Sequence, residues 1–212
     1  MKVWQKKLIK VVKSLLEKIG PEHDIDHTER VFNYCLIFSK DYPKTDSESL
    51  FAAAYLHDLG YSLGDKRGIN HGSSILKKAI SILKKVGVPE EKLDLIKQII
   101  EFHSSREDLS KMNLPIEVSI FHDADKAEGV GALGLARQFI YSGRVHKKIW
   151  DPRIKRSPSL PYGGDASAMH SILDYHLKHK FYTKTGKKLA KERKKYMKSF
   201  VKRFFQEWDF KK

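Results

Sequence analysis

Apolar positions recur with a helical period almost from the first residue of this chain. Val3, Trp4, Leu8, Val11, Val12, Leu15, Leu16 and Ile19 fall on one stripe, and Gly20-Pro21 ends it, which predicts a scaffold helix. After a corner at His23-Asp24, a second helix is predicted to about Asp41, with His27, Val31, Tyr34, Cys35 and Phe38 on one face. Thr45 and Glu48 have the spacing of a capping box and predict a third helix, whose Leu50, Phe51, Ala54 and His57 point inward and which stops at Gly60. Residues 61–70, with Gly64, Asp65, Gly68 and Asn70, read as a loop. His71 opens a fourth helix on Ile75, Leu76, Ala79, Ile82 and Leu83, and Gly87 and Pro89 separate it from a fifth. On that fifth helix Leu93, Ile96, Ile100 and His103 share a stripe.

Pro115 suits the first turn of a sixth helix, IEVSIFHDADKAEG, in which Val118, Phe121 and Asp125 share a broad face. A carboxylate on a core-facing stripe costs several kcal/mol unless it is paired or bound to a metal, so Asp125 requires a partner. Gly129, Gly131 and Gly134 follow, and with no strand before them they fit close helix packing better than a phosphate loop. Arg137 lies on a helix running to about Ser142. The stretch from Asp151 to Gly164, DPRIKRSPSLPYGG, reads as a long loop of the kind that often serves as a lid or binding loop. Two more helices are predicted, about 166–181 and 185–208. The second carries Leu189, Tyr196, Phe200, Phe204 and Trp208 against dense Lys and Arg, either docked on the core or free as a nucleic-acid arm.

No strand or internal repeat interrupts this pattern. The expectation is an all-α helical bundle with a basic C-terminal helical extension. Residues 1–212 form one domain, with a metal-binding core at about 21–142 and a basic loop and C-terminal helices at about 143–212. A length of 212 residues is enough for one sizeable core. No apolar run approaches the ~18 residues that span a bilayer, and Lys6, Lys7, Lys10 and Lys13 interrupt the first helix, so no membrane segment or secretory signal is expected and the protein should be cytoplasmic. The one cysteine, Cys35, cannot form an internal disulfide and reads as a small core residue. The net charge of +15 is uneven: residues 141–212 hold 20 Lys and Arg against 6 Asp and Glu, whereas the first 140 residues nearly balance. Such a field suits an anionic substrate, nucleic acid or plain solubility.

Candidate chemistry concentrates on inward faces. His27, the adjacent His57 and Asp58, and Asp125 lie near the core side of different predicted helices. Two imidazoles and two carboxylates make a mixed N/O donor set for Mn first, and also for Fe, Co, Ni, Zn or Mg, rather than for a metal that prefers thiolates. Any one of these histidines alone is more often a hydrogen-bonded core residue than a ligand. Their combination changes the picture.

The order H…HD…D, with HDIDHTERV around the first position, AYLHDLG around the pair and DADKAEGVGALGLAR around the last, resembles the HD-domain metal-dependent phosphohydrolases. The C-terminal TKTGKKLAKERKKYMKSF is similar to a pattern of the small single-domain bacterial branch, in which nucleoside triphosphate pyrophosphohydrolase activity is known. The resemblance thus covers nearly the whole chain. It implies an HD-domain fold, a divalent metal held by His27, His57, Asp58 and Asp125, and cleavage of a nucleotide phosphoanhydride or phosphoester. It places the fourth ligand at Asp125 rather than Asp123, and it sets His71 and His103 near the metal as catalytic candidates beside Asp58. Where the family usually has Arg-Leu-Asp after the last ligand, this chain has Lys126-Ala127-Glu128, a departure that bears on substrate choice.

The implied chemistry is hydrolysis by metal-activated water, with Lys66, Arg67, Lys126, Arg153, Lys155 and Arg156 as candidate phosphate holders. The partner is then an anionic small molecule, a nucleotide in the first instance. Two alternatives use the same residues differently. A cyclic-nucleotide or nucleic-acid phosphodiesterase shares the metal chemistry, and a non-catalytic nucleic-acid-binding protein would use the basic C-terminal third, although no base-reading motif is present.

Overall fold

The computed structural model describes residues 1–17, 23–62, 71–105, 107–154 and 166–210, with the backbone alone at 61–62 and 71–74. Among these residues there are ten α-helices and no strand: α1 (Val3–Leu16), α2 (Ile25–Ser39), α3 (Ser47–Leu56), α4 (Leu59–Ser62), α5 (His71–Val86), α6 (Leu93–Phe102), α7 (Ile116–Glu128), α8 (Gly131–Arg144), α9 (Ala168–Asp174) and α10 (Lys184–Trp208). The all-α expectation holds. The most extensive helix pairing is α2 on α7; α3 packs on α2 and α6, α5 lies against α6, and α1 crosses α3 and α5. Phe38, Leu50, Leu56, Ile96, Ile99, Ile100 and Phe121 are fully buried where these stripes meet, and Cys35 is buried with them.

Several boundaries differ from the sequence pattern for local reasons. Asp46, not Thr45, caps α3: its carboxylate accepts from Glu48 N and Ser49 N, while the Thr45 hydroxyl donates back to the Tyr42 carbonyl. Glu48 pairs with Lys2 and Lys92 instead of closing a capping box. The third helix ends at Leu56, with His57 and Asp58 in the turn before α4, so Tyr61 and Ser62 are helical rather than part of the expected loop. The helix expected over 166–181 is only α9 plus a short 3₁₀ turn at His176–Lys178, because Tyr175 leaves the helical backbone at φ −121°, ψ −65°. The expected stop at Gly20-Pro21, Gly64 to Asn70, and most of the proline-rich stretch lie outside the described residues.

The long basic helix is docked. Gly186, Ala190 and Met197 are its buried residues, one face of the TKTGKKLAKERKKYMKSF segment. At its start the buried Asp123 carboxylate of α7 accepts from Tyr182 N (2.9 Å), Thr183 N (2.7 Å) and Thr183 Oγ1 (2.7 Å), and Thr183 in turn caps the helix through Gly186 N. Gly186 must be glycine here: a Cβ would come to 2.5 Å from both Asp123 Oδ2 and Thr183 Oγ1. Two turns on, Arg193 donates to the Ala127 carbonyl (2.8 Å) and to the Tyr34 hydroxyl and lies 5.0 Å over the Tyr34 ring, which ties α10 to α7 and α2 together.

Candidate metal centre

The donor set is assembled by caps and helix ends. Asp24 caps α2 by accepting from His27 N (2.9 Å), which sets His27 in the first turn with its ring turned toward α7. At the end of α3 the His57 Nδ1 hydrogen bonds the Ala54 carbonyl (2.9 Å), and at the end of α6 the His103 Nδ1 hydrogen bonds the Ile100 carbonyl (2.6 Å). A carbonyl only accepts, so both Nδ1 atoms carry the proton and both Nε2 atoms carry a lone pair. His27 Nδ1 faces the buried Glu128 carboxylate at 3.4 Å, which fixes the same tautomer. Such outer bonds are what orient metal-binding imidazoles.

The lone pairs converge. His27 Nε2 and His57 Nε2 each lie 3.2 Å from Asp58 Oδ2 and 3.9 Å from Asp125 Oδ1, and both nitrogens are buried without a hydrogen-bond partner. Two acceptors facing two anions repel unless positive charge stands between them. A divalent cation with bonds of ~2.0–2.3 Å fits donor separations of this size, and His27, His57 and Asp125 form a group able to hold one, with Asp58 against both imidazoles. The four residues expected as ligands are therefore brought together.

The electrostatics agree. Burial opposes charge on Asp58, yet His57 and His23 hold its carboxyl well below the usual range. Burial likewise opposes charge on Asp125, but Lys126, His57 and His103 keep it ionised far below the ordinary value. Burial also works against a proton on His57, but Asp58 and Asp125 carry its pKa upward, so these carboxylates call for positive charge where its Nε2 points. His103, buried and next to His57, falls to about 3 and stays neutral.

Other expected residues are placed unevenly. Lys126 is buried and donates to Asp125 Oδ2 at 2.8 Å, so it stands at the site. Arg153 is bound bidentately to Asp151, and no described contact links it to the donors. Lys66, Arg67, Lys155 and Arg156 lie outside the described residues, as does the His71 side chain, although His71 does open α5. Asp123 points away, into the α10 junction.

Two residues at the site were not singled out by the sequence pattern. His23 reads there only as a corner, but because Asp24 caps α2, the residue before it folds back over the donors and its Nδ1 sits 2.8 Å from Asp58 Oδ2. Glu128, the one-carbon-longer replacement for the family's Asp, spans His27 Nδ1 and Arg30 Nε (2.8 Å), a pairing visible only across α2 and α7.

Comparison with known proteins gives a consistent picture. A family model described as HD domain matches residues 24–129. YpgQ of Bacillus subtilis is 29% identical over 197 residues, covering 90% of this chain and 86% of YpgQ. A crystal structure of YpgQ in complex with ADP superposes with a TM-score of 0.69, at 22% identity over 96% of this chain and 94% of that one. An HD-superfamily hydrolase from Bacillus thuringiensis superposes at 0.68 with 28% identity, covering 97% and 96% of the two chains. A protein from Lactobacillus plantarum reaches 0.81 with 25% identity over 99% and 98%.

Proposed function

Since this chain belongs to the HD-domain family of metal-dependent phosphohydrolases, we propose that its centre hydrolyses a phosphoanhydride or phosphoester bond of a nucleotide, in the manner of a nucleoside triphosphate pyrophosphohydrolase. The observation that carries this reading is the convergence of two buried, lone-pair-bearing imidazoles on two ionised carboxylates. The YpgQ complex with ADP supports the nucleotide, and the N/O donor set supports Mn.

His27, His57, Asp58 and Asp125 would hold the cation, which when bound brings its water toward pKa ~7 and polarises a phosphoryl oxygen. His103, neutral and with its Nδ1 proton committed to Ile100, offers an acceptor at Nε2, which suits it to orient a water rather than to protonate a leaving group. His71 remains a catalytic proposal on the family resemblance. Lys126, beside Asp125, would meet a substrate phosphate.

Purified protein should be screened against a panel of nucleotides with Mn, Co, Ni and Mg, with released phosphate and pyrophosphate assayed separately and bound metal quantified. Metal-dependent release from a nucleotide is expected, lost together with bound metal in Asp58→Asn. A protein that holds stoichiometric metal and cleaves no nucleotide would refute the nucleotide reading. The docked α10 makes the basic helix part of the scaffold, and no described helix is long and apolar enough to cross a membrane.

A further inference from the structure

The metal centre engages Lys126 but leaves the positive excess of residues 141–212 without a role. Docking of α10 sorts that excess by direction. Gly186, Ala190 and Met197 face inward, and Leu189, Phe200, Val201 and Phe204 pack against the core beside them. Arg193 is committed to Ala127 and Tyr34, and Lys194 to the His179 carbonyl. Lys187, Lys188, Lys191, Lys195, Lys198 and Lys202 are all exposed. At about 100° per residue they fall within an arc of the same width, along roughly 22 Å of helix. Among the described residues none of the six makes a hydrogen bond or an ion pair. The acidic residues of α10 stand off the arc: Glu207 is bound by Arg203, and Glu192 borders it without pairing to any of its lysines.

Six like charges in one row repel each other, and solubility alone is served better by mixed signs. Such a row attracts a polyanion whose own charges are strung in line. Lysine meets phosphate as a point charge and reads no base, and between Lys187 and Lys202 no arginine or aromatic ring shares the arc. Single strands are held by stacking their bases on rings of that kind, so a bare lysine row suits a duplex, which presents its phosphates outward. A helix that lies on a membrane needs an exposed apolar face beside its basic one, whereas the apolar face of α10 is against the core. The B-form major groove, ~12 Å wide, admits a helix, while the A-form groove of RNA is deep and narrow.

We propose that the outer face of α10 docks on duplex DNA, its lysine row meeting backbone phosphates without base specificity. The row shares no residue with the donor set, so this surface goes beyond the phosphohydrolase reading and does not depend on it.

Binding of the Mn-loaded full chain to a short fluorescein-labelled DNA duplex of mixed sequence should be followed by fluorescence anisotropy from about 50 to 200 mM KCl, with the probe checked for cleavage on a gel. For wild type, log affinity is expected to fall against log salt with a slope of about −3.5 to −5.5, the value for four to six phosphate contacts. Combined Lys191→Gln, Lys195→Gln and Lys198→Gln should lower the steepness by about 2–3 and weaken binding about tenfold or more at low salt. Combined Lys77→Gln, Lys84→Gln and Lys85→Gln removes the same charge from exposed positions on α5 and should leave affinity within about threefold. Bound Mn and the urea midpoint check that both variants are folded. Equal losses in the two variants overturn the proposal, because net charge and not the row would then drive binding. Absence of salt-dependent DNA binding in wild type also overturns it and leaves the row as a solvated face. Tighter binding to the single strand, to an RNA duplex of the same sequence or to phosphatidylserine vesicles overturns it by assigning the surface to that partner.

Discussion

Asp123 and Asp125 lie two residues apart on α7 and should respond to substitution in opposite ways. In Asp123→Ala the carboxylate that accepts from Tyr182 N, Thr183 N and Thr183 Oγ1 disappears from a fully buried position. The Thr183 hydroxyl still accepts from the Gly186 amide but loses the acceptor of its own proton, so the lasting damage is two backbone N–H groups and one hydroxyl left without an acceptor. At about 1–3 kcal/mol for each orphaned donor the three together cost about 3–9 kcal/mol, and the desolvation cost recovered from the carboxylate brings the loss to about 3–5 kcal/mol. That is a large fraction of the ~5–15 kcal/mol typical of a domain. The junction that fails is the one holding α10, so equilibrium urea unfolding is the assay, with near-ultraviolet circular dichroism to follow the aromatic contacts of α10. The folded fraction should still bind Mn, because Asp123 does not face the donors. Asp58→Asn is the counterpart, expected to lose metal while keeping its urea midpoint within about 1 kcal/mol. If Asp123→Ala unfolds within 1 kcal/mol of wild type and instead loses Mn, both the role given to the α10 junction and the choice of Asp125 as ligand are wrong.

His23→Ala should weaken Mn binding about 10- to 100-fold in a chelator competition, the usual weight of an outer-sphere partner, and His23→Asn should recover part of it by restoring an N–H to Asp58 Oδ2; wild-type affinity in the alanine variant would contradict this. Gly134→Ala should cost about 1–3 kcal/mol or more because its Cβ meets the Gly129 carbonyl, whereas Gly143→Ala, later in the same helix and facing open space, should stabilise by roughly 0.5–1 kcal/mol; equal urea midpoints for the two variants would refute the close-approach argument. Burial and the Arg137 charge lower His176 from 6.5 to about 3, so between those values the unfolded chain binds the proton and the folded chain does not. Stability therefore rises with pH through this window and is lost as pH falls below 6.5, with a slope of up to about 1.4 kcal/mol per unit from this residue. His176→Gln should flatten the stability profile between pH 6 and 4.5 by that amount, and parallel profiles would refute the assignment.

Period and composition were enough to determine the class of this protein. Helices bury one stripe each, and a stripe is written locally every three or four residues, so the all-α bundle, the inward phase of His27, His57 and His103, and the burial of Cys35 follow from spacing alone. The four donors were legible as inward polar residues in a family order, because a buried carboxylate or imidazole without a partner is costly wherever it occurs. Spacing could not say which nitrogen of each histidine points at the cation, since that depends on carbonyls and a carboxylate brought in by the fold. The same limit hid His23, whose role depends on a cap turning the chain back by one residue, and Glu128, whose partners lie on α2, about a hundred positions earlier in the chain. It also left Asp123 as no more than an aspartate off the donor face. Its function as the acceptor for the start of α10 is set by Tyr182 and Thr183, some sixty residues later. Local periodicity records which side of a helix is buried, while hydrogen-bond partners and charge balance are properties of surfaces that meet only when the helices pack.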